Sequence, residues 1–233
     1  MKRNVFMLLV LILLVGCGNA SAERYLYSAE EKDSINGVLF NVIPGKVILS
    51  DRVDGKVHVE ARVIVQNLRD RAVNYDEAGY LVGYSPSTEK SVVIKGFTAR
   101  PAIAAPGGYS LLTFSDDVEM DILEDWEFRP FFNMGETQKT PIFVGVGDAA
   151  LEPYSGSKAI RVYRDLSDLP KGIYQCIVIL GDAEHRFLWA EDVTINTELE
   201  TRASIGIEDY EAELFRKYGK EPTYGEIVVQ TKK

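Results

Sequence analysis

Cysteine is almost missing from these 233 residues: only Cys17 and Cys176 occur. Two thiols can form one bridge at most, so a disulfide framework is excluded. Histidine is as scarce, and His58 and His185 lie too far apart for a metal-ligand motif. The chain also lacks a glycine-rich phosphate loop ending in Gly-Lys-Ser or Gly-Lys-Thr. Positive charge is in deficit, with 26 basic residues against 35 acidic ones and a net charge of −9. Such a chain repels phosphate backbones and anionic headgroups, so nucleic acid is not expected as a partner. Long apolar runs are missing except at residues 5–15, and those eleven residues fall short of the ~20 that span a bilayer. What remains is ordinary for a folded protein: 46% hydrophobic and 26% charged residues, in a chain long enough to build a core by packing alone.

The apolar run follows Lys2 and Arg3 and precedes small residues, which is the three-part pattern of a secretory signal. Its end, Leu14-Val15-Gly16-Cys17, resembles the bacterial lipobox. The resemblance implies cleavage between Gly16 and Cys17, a diacylglycerol thioether on Cys17 and acylation of the new amine. Each buried methylene contributes about 0.8 kcal/mol, and two or more chains give stable anchoring. Residues 1–16 are then a signal peptide and 17–34 a polar tether. Removing residues 1–16, with Lys2 and Arg3, leaves 24 basic residues against 35 acidic, a mature charge of −11. The competing site, Ala20-Ser21-Ala22, would release a protein without lipid. The cysteine at the very end of the apolar run favours the lipid reading. Gly18 stands where aspartate would signal retention in the inner membrane. The expected address is therefore the cell envelope outside the cytoplasmic membrane, on the outer membrane where the host has one.

The mature chain reads as strands. Val57, Val59, Ala61, Val63 and Val65 alternate with His58, Glu60, Arg62 and Ile64, as in a strand with one buried face. Asp54-Gly55 is a hairpin-turn dipeptide joining this strand to another at 45–50. Further strands are expected at 79–84, 91–97, 109–114, within 169–180 and at 185–195, with a last one at 225–230. Ile207, Tyr210, Leu214 and Tyr218 recur at helical spacing, which predicts a short helix over 207–218 capped by Gly219.

Gly172-Ile173-Tyr174-Gln175-Cys176 enters one of these strands and resembles the tyrosine corner of immunoglobulin-like sandwiches. The resemblance implies a mainly β fold, an immunoglobulin-like antiparallel sandwich over 35–197, with an inserted segment and a C-terminal helix and strand in 198–233. The irregular stretch at 115–168 is either that insertion or the start of a second small β subdomain, with a split near 115–140.

Few constellations point to chemistry. Gly83-Tyr84-Ser85-Pro86-Ser87 nearly matches a nucleophile elbow, but Pro86 has no N–H for an oxyanion hole. Ser87-Thr88-Glu89-Lys90 matches S-x-x-K without the motifs that complete such a site, so a turn is expected. Asp117, Glu119 and Asp121 have the spacing of a calcium loop, yet Ile122 and Phe128 stand where glycine and a bidentate glutamate belong. Cys176 sits among aliphatic neighbours, as an inert buried thiol does. A Ser-His-Asp triad using His185 with Asp182 or Asp192 stays open, since triads are spatial. The segment 124–132 mixes acids and rings. Trp126, Phe128 and Phe131 would serve as a binding platform if exposed together, and as core if not.

These readings converge on a lipid-anchored, non-catalytic binding or adaptor module, without metal or cofactor, facing an envelope protein or glycan. Two alternatives belong to other classes. The strand at 57–65 followed by Gln66-Asn67, and the later Pro170-Lys171-Gly172-Ile173-Tyr174, are loosely similar to small β-sandwich proteinase inhibitors of bacteria. An envelope-polymer hydrolase would use the acids between Asp121 and Glu127 as an acid–base pair.

Overall fold

The computed structural model describes residues 24–25, 32–35, 38–49, 54–75, 78–121, 126–153, 160–183, 187–207, 212 and 221–232. Gly16 and Cys17, the signal, most of the tether, the acids at 124–125 and His185 lie outside the described residues. The chain is mainly β and its sheets are antiparallel.

A six-stranded sheet joins β1 (Arg24–Tyr25), β2 (Lys32–Ile35), β3 (Val38–Leu49), β4 (Val57–Asn67), β8 (Phe97–Arg100) and β10 (Tyr109–Val118), in the order β1-β3-β4-β10-β8 with β2 on β3. Facing it is a three-stranded sheet of β6 (Gly79–Ser85), β7 (Lys90–Ile94) and β11 (Glu127–Phe132), in the order β11-β6-β7. A small sheet of β5 (Val73–Asn74), β9 (Ile103–Ala104) and β12 (Gly135–Glu136) closes one end. The valines of β4 point inward as their alternation requires, and they meet Leu81, Ile94, Phe114, Trp126 and Phe128 in a first core. Asp54 and Gly55 both take the left-handed backbone that a hairpin turn of this type needs, at φ 51° and 79°.

The expected strand at 91–97 is two strands instead, broken at Lys95-Gly96. A Cβ on Gly96 would lie 1.9 Å from the carbonyl oxygen of Ser115, so the chain passes too close for any other residue. The Ser115 N–H donates to the Gly96 carbonyl at this crossing, at 2.7 Å.

The segment 115–168 is shared out. β11 pairs with β6 in the first core, whereas β13 (Phe143–Asp148), β14 (Ala150–Pro153) and β15 (Ile160–Asp165) build a second. There a four-stranded sheet, β13-β19-β16-β17, packs on a three-stranded one, β14-β15-β18. The remaining strands are β16 (Ile173–Gly181), β17 (Phe187–Asn196), β18 (Arg202–Ile207) and β19 (Tyr224–Thr231). This core draws on Ala203, Ile205, Ile207, Ile227 and Val229, all beyond residue 197. The helix expected over 207–218 is not seen as an element. Ile207 closes β18 with its side chain fully buried, and Ala212 is a single helical residue packed into the same core. The rest of that stretch lies outside the described residues. Ile207 alternates with Ala203 and Ile205 as a strand residue, and that period overrides the weaker helical one.

The Tyr174 hydroxyl donates to the carbonyl of Pro170 at 2.8 Å, with the ring 4% exposed. Thr197, also buried, clips the same corner: its hydroxyl accepts from the Gly172 N–H at 3.0 Å and reaches the Pro170 carbonyl at 3.0 Å.

A third apolar cluster joins the two cores. Ile64 and Leu111, on the outer face of the six-stranded sheet, meet Ile177, Ile179, Phe187, Ala190 and Val228. This contact explains why Ile177-Val178-Ile179-Leu180 is an unbroken apolar run: the strand is covered on both faces. Gln230 adds a polar clamp, accepting from the Ala105 N–H at 3.2 Å and donating to the Ile103 carbonyl at 2.7 Å.

Candidate aromatic binding face

Strand parity sorts the aromatic-rich segment. Phe128 and Phe132 share the inner face of β11, and Trp126 precedes them into the core. Their exposures are 4%, 7% and 1%. Phe131 falls on the other face and is 42% exposed. The three rings named as a platform therefore divide: Trp126 and Phe128 are core, and Phe131 alone reaches solvent. The Trp126 indole N–H donates to the Asp121 carbonyl at 2.8 Å, which satisfies its one buried polar atom. Gly83 opens the space behind Phe128, since a Cβ there would stand 2.8 Å from the ring.

Phe131 has acquired other neighbours. It lies opposite Tyr80 in the β6–β11 ladder, and the two rings stack with centroids 5.2 Å apart and planes 14° from parallel. Tyr84 and Val93 continue the same outer face at 42% and 44% exposed. Val82 and Arg129 sit opposite one another between them. At the edge, Lys90 bonds the Asp121 carboxylate at 3.0 Å. Four large apolar side chains on a three-stranded sheet are thus held open to solvent, with Arg129 between them and Glu127 opposite Tyr84. In soluble proteins contiguous apolar surface of this kind marks interaction sites. Pre-stacked rings on strands lose little side-chain entropy when covered.

The polar candidates resolve differently. The Nδ1 of His58 lies 2.7 Å from the Asp117 carboxylate, and its Nε2 is 3.4 Å from the Ser115 hydroxyl. This is the connectivity of a triad. However, the Ser115 N–H is already given to Gly96 and the Asp117 N–H to the Asp116 carboxylate. Neither can stabilise an oxyanion. The His58 and Asp117 side chains are 45% and 67% exposed on an open strand face. The group is a surface ladder set by the register that puts Asp117 opposite His58.

Ser85 is buried and accepts from the Thr88 hydroxyl at 2.9 Å, so the G-x-S-x segment is a hairpin turn. Burial pushes the Cys176 thiol up to about 12, which leaves it protonated and unreactive at neutral pH. Among the described residues no group of three or more His, Cys, Asp or Glu is placed to hold a metal, Asp117, Glu119 and Asp121 included. No described helix is long and apolar enough to cross a membrane.

A cleft of about 310 Å³ opens where the two cores meet, lined by Arg62, Leu111, Thr113, Glu191 and Asp192. Its cation is engaged. Two N–H groups of Arg62 grip one oxygen of Glu60 at 2.8 and 2.9 Å, and a third donates to the Ala190 carbonyl. No protein-family model matches this chain, and no curated protein matches its sequence.

Proposed function

We propose that this chain is a lipid-anchored, non-catalytic binding or adaptor module of the bacterial envelope. Cys17 tethers it outside the cytoplasmic membrane, and the Tyr80–Phe131 face docks an envelope protein or glycan. The observation that carries the reading is that stacked, solvent-exposed pair with Tyr84 and Val93 beside it. Covering it would gain roughly 25 cal/mol for each Å² removed from water. An immunoglobulin-like arrangement fits the second core, where four- and three-stranded sheets face each other and Tyr174 bonds back to Pro170.

The docking test uses the full chain as bait in envelope extracts, beside a Tyr80→Ser, Phe131→Ser double variant. Both positions are exposed, so the melting temperature should hold while recovery of the protein or glycan partner falls at least about tenfold. Equal recovery would rule out this face. The anchor is tested separately: Cys17→Ser should release the protein from membranes. A mature N-terminus at Glu23 would refute the lipid reading.

A further inference from the structure

The second core is open along one side. β13 is an edge strand, bonded to β19 alone, and its other edge has no strand beside it among the described residues. Along it runs a groove of about 100 Å³ lined by Val144, Gly145, Val146, Arg164, Leu166, Leu169 and Val229. Arg164 shares a face of β15 with the fully buried Val162, so its side chain is directed into the sandwich. Gly147 admits it: a Cβ there would stand 1.8 Å from an Arg164 guanidinium nitrogen. Arg164 makes no hydrogen bond or ion pair with a described residue, although the wall around it is otherwise apolar. An inward-facing guanidinium normally has a counter-charge, because desolvating it alone is costly.

The outward side of the same edge is apolar. Val144 and Val146 are each 42% exposed. From Gly145 to Asp148 the ladder with β19 is regular, so the backbone is straight enough to template another strand. Side chains of an added strand would alternate as those of β13 do. Its outward residues would lie beside Val144 and Val146. Its inward residues would enter the space that Gly145 leaves empty and meet the Arg164 guanidinium, which fills the place beside Gly147.

We infer that the edge of β13 takes an extended acidic segment of a partner chain, apolar residues alternating with an inward glutamate whose carboxylate pairs with Arg164. Charge complementarity selects this occupant: the groove offers a cation unmatched among the described residues, and a carboxylate bonds a guanidinium more strongly than any neutral group. The site lies in the second core and does not depend on the Tyr80–Phe131 face.

The test uses the full chain in detergent and a fluorescein-labelled, end-capped peptide, Val-Thr-Val-Glu-Val-Thr-Val, beside its Glu-to-Gln counterpart. Anisotropy titration should show the glutamate peptide binding about tenfold tighter. Arg164→Gln should abolish the difference, and hydrogen exchange in β13 should slow when the peptide is present. Equal affinity of the two peptides for the unmodified protein overturns the proposal, as does a preference that survives Arg164→Gln or unchanged exchange in β13. Displacement by an equal concentration of free glutarate would also overturn it, since a lone carboxylate would then suffice. Should Arg164→Gln fail to fold, the two-peptide comparison on the unmodified protein decides alone.

Discussion

The guanidinium carbon of Arg62, on the outer face of the six-stranded sheet, lies 3.4 Å from the ring centroid of Trp189 in the second core. Arg62 is carried by β4 and Trp189 by β17, so the stack spans the junction cleft. Glu60 fixes the guanidinium from one side and the Ala190 carbonyl from the other. The planar fork can do both while stacking, which a lysine ammonium cannot.

Arg62→Ala should therefore cost about 2 kcal/mol, read as a lower urea midpoint with unchanged slope. Trp189 emission should shift to the red as the junction admits water. Arg62→Lys should restore less than half of the loss, because charge returns without the fork. A midpoint equal to that of the unmodified protein would show that the junction holds without the Arg62 stack.

Two buried tyrosines should answer oppositely to the same change. Tyr174→Phe removes the bond to Pro170 and leaves that carbonyl to Thr197, at an expected cost on the order of 1 kcal/mol. The Tyr75 hydroxyl is fully buried beside Phe132 and has no hydrogen-bond partner among the described residues. Burial raises its pKa, and Arg69 opposes this only in part. Tyr75→Phe should leave the melting temperature unchanged or raise it. A loss comparable to that of Tyr174→Phe would place a bound water or other partner on Tyr75.

Cys176 gives the protein a pH dependence at the alkaline end. Burial raises the thiol from its ordinary value of 9.0 to about 12 in the folded state. The fold thus favours the protonated form. The stability this provides is complete below about pH 9, where both states are protonated, and it is lost as pH rises from there to about 12. In a Cys17→Ser background Cys176 should resist a thiol reagent at pH 8 and react at once in denaturant. Rapid native labelling would contradict the burial. A Cys176→Ala variant should unfold less steeply with pH above 9.

Strand alternation at Val57–Val65, the Asp54-Gly55 turn and the Tyr174 corner were all legible in the sequence, because each is a local rule: side chains alternate with period two, and turn residues carry their own backbone preference. The proposed N-terminal address rests on the sequence alone. Parity, however, says only that two faces differ. It grouped Ile64 with His58, Glu60 and Arg62 on the outer face of β4, and only the second core resting on that face buried Ile64 and left His58 in water. The same limit divided Trp126 and Phe128 from Phe131. A segment rich in rings announces apolar surface, but which rings are covered depends on the sheet opposite. The pairing of Phe131 with Tyr80, and the place of Arg164, unmatched among the described residues, along the edge of β13, come from strands distant in sequence. Their register is fixed by packing over the whole sheet, which no local pattern contains.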